Sequence, residues 1–346
     1  MTANRVLVVK MSSLGDVVHA LPAVTDAVRA GYAVDWVVEE AFADIPALHP
    51  GVDKVIPIAW RRWRKQLRHR DTSRAAGAEM RAFYRTLRER AYHSVVDSQG
   101  LIKSAAVALL AVGRRHGFAH TVAREPWAAF AYRRSYPVPT GQHAIDRQRQ
   151  LFAAALGYSL TTTASSGLAS APVSSRQVVL LHGTTWASKH WPDAMWRELV
   201  GLVRADGFEP VVTWGDAREQ TRAENLAEAG ATLQPRLGLA ELSEVLRRAA
   251  LVIGVDSGLC HLSAALGAPT LGLYGPTSGE LTGCRGLRAQ SLQGEAHCAP
   301  CLRPTCTRFR GAAPVWQGEA VQPPCFAVLS PEVVWRSGRT LMAELV

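Results

Sequence analysis

The chain has 346 residues, 48% hydrophobic and 20% charged. That balance excludes wholesale disorder, and the length calls for two domains rather than one core. The formal net charge is +10, and eleven Lys/Arg against three acids (Asp71, Glu79, Glu89) between Arg61 and Arg90 leave a local excess of eight. Such a patch suits a polyanion, whether nucleic acid, anionic lipid or phosphorylated sugar. No apolar run approaches the ~18 residues of a membrane span, and the four apolar residues between Arg5 and Lys10 are too few for a signal peptide, so a cytoplasmic protein is expected.

In chain order, Arg5–Lys10 is a β-branched run suited to a strand buried on both faces. The turn Met11-Ser12-Ser13-Leu14-Gly15-Asp16 leads into a helix over Val17–Arg29. Ala33–Glu39 and Val52–Ile58 read as the next strands, and the basic segment Arg61–Arg90 as part loop and part helix. Ser94–Asp97 is a further strand, Ser98-Gln99-Gly100 its turn and Leu101–Val112 its helix. Thr161–Ser175 is rich in Ser, Thr, Ala and Gly and has no periodicity, which marks a linker. A second series follows, with strands at Val178–Leu181, Glu209–Trp214, Leu251–Val255 and Thr270–Tyr274. Its helices are Pro192–Asp206, Arg218–Ala229, Leu239–Ala249 and Ser257–Leu266, and Ser330-Pro331 opens a last helix to Leu345.

This pattern divides the chain into an N-terminal domain over 1–160, a linker over 161–176, a second domain over 177–329 and a final helix within 330–346. Two α/β series predict two doubly wound parallel sheets that bind ligands at the carboxyl ends of their strands and face each other across a cleft. The dinucleotide fingerprint G-x-G-x-x-G and the P-loop are both absent from the sequence, which disfavours dehydrogenases and P-loop enzymes.

Several residues could carry chemistry. Asp16 stands where the first strand meets a helix, as a general base or as a helix cap. Ser257 and Gly258 begin a helix whose N–H groups suit a diphosphate, with Asp256 to hold the turn and His261 one turn on; the alternative is a capped helix with a core histidine. Thr184, Thr185 and Lys189 follow a strand end and suit a phosphate. Glu219 follows Trp214-Gly215-Asp216, where a carboxylate can bond a ribose or simply favour the helix dipole. Arg61, Arg62, Arg64 and Lys65, with Arg124 further on, match anions or form a solvated basic face. Cys298, Cys301, Cys306 and Cys325 could enclose zinc or iron or remain free thiols, and Cys260 reads as a buried hydrophobe.

The stretches Val9-Lys10-x-Ser12-Ser13-x-Gly15-Asp16-Val17, Asp35–Glu40, Arg61-Arg62-Trp63-Arg64-Lys65, Gln99-Gly100-Leu101-x-Lys103-Ser104 and Ala123-Arg124-Glu125-Pro126 run in order through the first half. Lys189-His190-Trp191-Pro192, Trp214-Gly215 and Val255–Leu259 continue them. Together they resemble glycosyltransferase family 9, the heptosyltransferases, over most of the chain up to about Pro276. The resemblance implies a GT-B fold and an inverting, metal-independent transfer of heptose from ADP-heptose to the Kdo of Kdo-lipid A in the lipopolysaccharide inner core. By it, Asp16 is the base and Lys189, with Thr184 and Thr185, holds the donor diphosphate and stabilises the leaving group. Glu219 binds the ribose, and Asp256, Ser257, Gly258 and His261 bind the phosphates and heptose. Ser12, Ser13 and Gly15 complete the donor set, while Arg61, Arg62, Arg64, Lys65 and Arg124 meet the acidic acceptor.

No cofactor or metal ligand is expected, since ADP-heptose is a substrate. The implied protein is a monomer in peripheral contact with the cytoplasmic face of the inner membrane, binding no nucleic acid, with its last helix returning to the N-terminal domain. A family member with the same donor and another acceptor, the second heptosyltransferase of the core or a protein heptosyltransferase, is the alternative, because the cysteine-rich tail beyond Thr277 departs from the pattern. A non-catalytic protein that binds anionic lipid or nucleic acid rests on charge alone.

Overall fold

The computed structural model describes residues 4–160 and 163–343. Thr161 and Thr162, at the head of the expected linker, and residues 344–346, at the expected end of the last helix, lie outside the described residues. The chain divides into two compact units, residues 1–168 and 169–346, and the division falls in the irregular stretch 163–176.

The first unit carries six strands: β1 (Arg5–Val9), β2 (Ala33–Glu39), β3 (Val52–Ile58), β4 (Ala91–Asp97), β5 (Val112–Phe118) and β6 (Arg134–Tyr136). Its helices are α1 (Leu14–Arg29), α2 (Asp44–Ala47), α3 (Trp60–Gln66), α4 (Arg70–Arg88), α5 (Ile102–Leu110) and α6 (Ala144–Leu156). The sheet is parallel in the order β3-β2-β1-β4-β5-β6. Val6, Leu7, Val8 and Val9 of β1 are all fully buried, as the central strand of a sheet covered on both faces requires.

The basic segment is almost entirely helical rather than part loop. Ala76, Phe83 and Leu87 give α4 one buried stripe, and Trp63 of α3 meets Phe83 edge-on at 5.8 Å, so the cations occupy the solvent side. The expected helix over Leu101–Val112 ends at Leu110, because Val112 already begins β5. The helix α6 is tied to α1 by Arg149 and Asp26, 2.6 Å apart and both buried.

The second unit repeats the plan with β7 (Gln177–Leu181), β8 (Glu209–Val212), β9 (Thr232–Leu233), β10 (Leu251–Val255), β11 (Thr270–Tyr274) and β12 (Ala289–Gln293). Its helices are α7 (Asp193–Ala205), α8 (Ala217–Glu228), α9 (Leu239–Arg248), α10 (Gly258–Ala265), α11 (Gly279–Thr282) and α12 (Pro331–Ala343). The parallel order is β12-β11-β10-β7-β8-β9. Edge strand β12 reads AQSLQ and is nowhere fully buried, so it has no apolar run to announce it.

The last helix, expected to return to the N-terminal domain, has a place in the core of the second unit. Val334, Trp335 and Leu341 of α12 join the hydrophobic core of the second unit, where α12 packs on α7 and β10. The Trp335 indole and Arg339 both donate to Asp206 after α7, at 2.8 and 3.0 Å. Gly338 permits the close approach, since a Cβ there would stand 2.6 Å from the Leu251 Cδ2 of β10. The apolar face of α12 is therefore used within its own unit.

In each sheet the strand order reverses beside the first strand of the unit, between β1 and β4 and between β7 and β10. Loops leaving neighbouring strands in opposite directions open a crevice at the carboxyl ends, where open α/β sheets bind ligands.

Replacing Gly338 by Leu should lift α12 from β10 and destabilise the second unit by about 1–3 kcal/mol through overpacking. A lowered thermal midpoint, with Arg336→Ala on the exposed side as an unchanged control, checks this; equal midpoints would place α12 elsewhere.

Candidate functional site

In the first unit the site grows from the β1–α1 and β4–α5 turns. Ser13 is the N-cap of α1, and Asp16, three residues on, reaches back so that its Oδ2 accepts from the Ser13 N–H and hydroxyl, both at 3.0 Å. Asp16 is thus the acidic member of a capping box rather than the N-cap itself. Its other contacts exceed what a cap needs: Lys10 Nζ lies 3.6 Å from Oδ1, and Arg124 Nη1 lies 3.5 Å from Oδ2. Burial raises the Asp16 carboxyl, but the charges of Lys10 and Arg124 and the Ser13 N–H overcome it and hold the group well below the usual carboxylate range.

The neighbouring turn fixes this one. Gln99 accepts from the Met11 N–H and donates to the Ser12 carbonyl, both at 2.7 Å. Buried Asp97 accepts from the Gln99 N–H at 2.9 Å and the Tyr132 hydroxyl at 2.8 Å. Gly100 has φ +66° and lies beside the backbone of Arg124, in the loop after β5; only glycine readily takes this conformation. Lys103 donates to the Ser12 hydroxyl at 3.3 Å. Burial lowers its pKa, and the nearby charges of Arg61 and Arg64 lower it further.

The structure therefore gathers Asp16, Ser12, Ser13, Arg124, Arg61 and Arg64 around Lys10, Gln99 and Lys103. Ser12, Ser13 and Gly15, assigned to the donor by resemblance, stand beside Asp16 in the first unit. Arg62 is matched by Glu40 at 2.9 Å and Glu79 at 2.8 Å; these hydrogen bonds raise its pKa and bind it as a strut between α3 and α4. Arg61, Arg64 and Lys65 have no ion pair among the described residues, and Arg61 lies over the Phe42 ring.

In the second unit Lys189 Nζ meets Asp256 Oδ2 at 2.8 Å, and Asp256 Oδ1 meets His261 Nε2 at 3.2 Å. His261 Nδ1 lies 3.7 Å from Cys284 Sγ, which is 3.1 Å from Cys260 Sγ and 3.4 Å from the Tyr274 hydroxyl. Thr184 donates to the Asp256 carbonyl at 3.3 Å, and Ser257 caps α10. Lys189 also lies over the Trp186 ring. Its neighbour Ser188 donates from N–H to the Pro304 carbonyl at 3.1 Å and from its hydroxyl to the Arg303 carbonyl, so the loop between Cys301 and Cys306 braces the lysine.

Glu219 accepts from the Gly215 N–H at 2.8 Å and lies against Gly183, where a Cβ would stand 2.3 Å from its Oε1. Asp216 is the cap of α8, while Thr185 is exposed.

Burial raises the Asp256 carboxyl, but His261 and Lys189 hold it well below the usual range. Burial lowers His261, yet Asp256 and Cys284 push it up to about 10. Hydrogen bonds from Cys260, His261 and Tyr274 pull Cys284 down to about 5 against its burial. The result is a line of alternating charge: Lys189, Asp256, His261, Cys284. Cys284 lies 23 residues beyond His261 in a loop with no motif, so only tertiary structure could reveal the pairing. Cys298, Cys301, Cys306 and Cys325 form no disulfide, and among the described residues no three His, Cys, Asp or Glu side chains are grouped to hold a metal ion.

The His261–Cys284 pair predicts a pH profile. Ordinary groups of these kinds titrate at 6.5 and 9.0, against about 10 and about 5 in the folded protein. Between those ordinary values the folded and unfolded states hold equal protons on the two groups, so their contribution to stability is level. It is lost on the alkaline side as pH rises through about 10, where the folded state holds more protons, and on the acid side as pH falls through about 5, where the unfolded state holds more. In Cys284→Ala only the raised histidine remains, so the alkaline decline of the thermal midpoint should begin near 6.5 instead of 9.0. Superimposable profiles would contradict the pairing.

Comparison with known proteins places the chain. The family model for glycosyltransferase family 9 (heptosyltransferase) matches residues 80–309. Lipopolysaccharide heptosyltransferase 1 of Pseudomonas aeruginosa is 46% identical over 344 residues, which cover 95% of this chain and 96% of that protein. The protein of the same name from Escherichia coli K12 is 45% identical over 291 residues, 81% of this chain and 90% of its own. Among solved structures, E. coli heptosyltransferase WaaC with ADP is 43% identical with a TM-score of 0.77, covering 83% of this chain and 92% of that one. The same enzyme with ADP-2-deoxy-2-fluoro heptose is 38% identical with a TM-score of 0.78, covering 96% and 98%. The chain is a glycosyltransferase of the GT-B fold and belongs to glycosyltransferase family 9, the heptosyltransferases.

Proposed function

We propose that the protein transfers heptose from ADP-heptose to a Kdo hydroxyl of Kdo-lipid A, with inversion and without a metal ion, working as a monomer at the cytoplasmic face of the inner membrane. The observation that carries this reading is near-full-length identity to a protein named lipopolysaccharide heptosyltransferase 1. The described residues include no helix long and apolar enough to cross a membrane, so the membrane contact proposed is peripheral.

On the donor side, Lys189, Thr184 and the N–H groups at the start of α10 bind the diphosphate, and Glu219 bonds the ribose. Asp256 orients Lys189 through their 2.8 Å ion pair. Its charge is shared with His261, which leaves the lysine free to neutralise the phosphate oxygens as the bond to the anomeric carbon breaks and ADP departs.

On the acceptor side, Arg61, Arg64, Lys65, Lys103 and Arg124 receive the carboxylate and phosphates of the acceptor. Arg124, 63% exposed at its side chain, is the solvent-facing partner of Asp16. An acidic acceptor that draws Arg124 off leaves Asp16 with one cation fewer and therefore more basic when the Kdo hydroxyl arrives. The hydroxyl oxygen then bonds to the anomeric carbon, and its proton passes to Asp16.

Incubating the purified protein with ADP-heptose and Kdo-lipid A should add the mass of one heptose to the lipid, equally with and without chelator. Lys189→Ala should cut turnover roughly 100- to 1,000-fold, the scale for losing one charge stabiliser of a transition state, and raise the donor KM. Transfer only to an already heptosylated core would redirect the acceptor assignment, and loss of transfer on chelation would overturn the metal-free reading.

A further inference from the structure

The first unit exposes an apolar surface that its catalytic groups do not use. Trp127 and Phe130 are 72% and 80% exposed and stack on each other with ring centroids 5.8 Å apart. They project from a 3-10 turn, Pro126–Ala131, that is anchored by buried Ala128. The turn packs against α5, and the Glu125 carboxylate before it accepts from the Ile102 N–H at 2.6 Å. Along α5, Ile102, Ala106 and Leu109 are exposed at the spacing of one helical face, with Leu110 exposed beside them. The opposite side, Ala105, Val107 and Ala108, is buried in the unit. A helix apolar on both sides ordinarily lies inside a protein or against lipid.

Cations surround this surface. Arg124 precedes the turn, Arg133 and Arg134 follow it, and all three are exposed. Arg88 donates to the Leu110 carbonyl at the far end of α5 at 3.1 Å. Lys103 neighbours Ile102, with the charges of Arg61 and Arg64 close by. Glu125, engaged by the Ile102 N–H, is the acid within the surface. Exposed aromatics and aliphatics ringed by arginine fit the boundary between anionic headgroups and acyl chains, where tryptophan is favoured and basic side chains meet phosphate.

We infer that Trp127, Phe130 and the open face of α5 form a docking surface for an anionic lipid bilayer. The inference deepens the proposed function, on which the choice of a bilayer as partner rests. It names the residues that enter the lipid and explains why Arg124, two residues before Pro126, would meet an acceptor anchored in that same bilayer. The surface acts by position alone: seated in the headgroup layer, it holds the Asp16–Arg124 pair at the height of a sugar linked to lipid.

The test uses vesicles without acceptor, so that its outcome is independent of transfer. The whole protein should co-sediment with vesicles of phosphatidylethanolamine and phosphatidylglycerol, and less with phosphatidylcholine alone. Trp127→Ser/Phe130→Ser should weaken the first binding roughly tenfold or more with an unchanged thermal midpoint, since both rings are exposed. It should also lower transfer to acceptor embedded in vesicles while sparing transfer to a deacylated, water-soluble acceptor. Failure of the parent protein to bind anionic vesicles, or equal binding by the double variant, would overturn the inference. So would sedimentation velocity without lipid showing that the two aromatics join copies of the chain.

Discussion

A parallel sheet covered on both faces confines polar chemistry to the ends of its strands. The central strands β1 and β10 are buried along almost their whole length, and no charged group could be presented from within them without a partner. Each strand instead delivers its chain to a tight turn whose N–H groups must be satisfied at the start of the next helix. Asp16, accepting from the Ser13 N–H, and Ser257, accepting from the Cys260 N–H, answer that demand at the two reversal points; Asp16 stands beside Lys10 at the end of β1, and Asp256 beside Lys189 from the segment after β7. The capping and functional readings of Asp16 are therefore two consequences of one position.

The two carboxylates are built alike and differ in one respect. Asp16 lies between Lys10 and Arg124, and Asp256 lies between Lys189 and His261. Around Asp256 the histidine is buried and is held from behind by Cys284, so the arrangement is fixed and serves to orient Lys189. Around Asp16 one cation, Lys10, is buried with its ammonium donating to the Ser98 carbonyl at 3.1 Å, while Arg124 is largely exposed. A ligand can remove Arg124 and cannot remove Lys10. On the mechanism proposed above, that asymmetry lets an acidic acceptor change the basicity of Asp16 while Asp256 stays a structural anion.

Much of this was legible in the sequence because it is local. RVLVVK ahead of a Ser-Ser-x-Gly-Asp turn announces a buried strand and a helix start, and Ser257-Gly258 does the same after β10. Strands without an apolar run were hidden: β12 reads AQSLQ, and β5 carries Arg114, Arg115 and His116, whose charge masks a strand lying one residue beyond α5. The place of α12 in the second unit was equally hidden, since its apolar face fits any core and is fixed by distant contacts, Gly338 with Leu251 and Trp335 and Arg339 with Asp206. Within the site, Arg62 resembled its basic neighbours until Glu40 and Glu79 were seen to hold it. Lys10 read as the end of a strand, and Cys284 as a cysteine outside every pattern. The ties of Arg62 to Glu40 and Glu79, of Lys10 to the Ser98 carbonyl and of Cys284 to His261 join distant parts of the chain, and no spacing encodes them.

The central claim is that Asp16 accepts the proton of the acceptor hydroxyl, beyond closing the first turn of α1. Asp16→Asn separates the two roles, because the amide oxygen can still accept from the Ser13 N–H while the negative charge is gone. Turnover and ADP-heptose affinity should be measured on the same preparation. The account predicts turnover lower by roughly 100- to 10,000-fold, the range for loss of a general base, with donor affinity close to that of the parent; the thermal midpoint falls as well, because buried Lys10 loses its counter-charge. Turnover that survives the substitution, or that falls only in step with donor affinity, would show Asp16 to be a helix cap and the proton to go elsewhere.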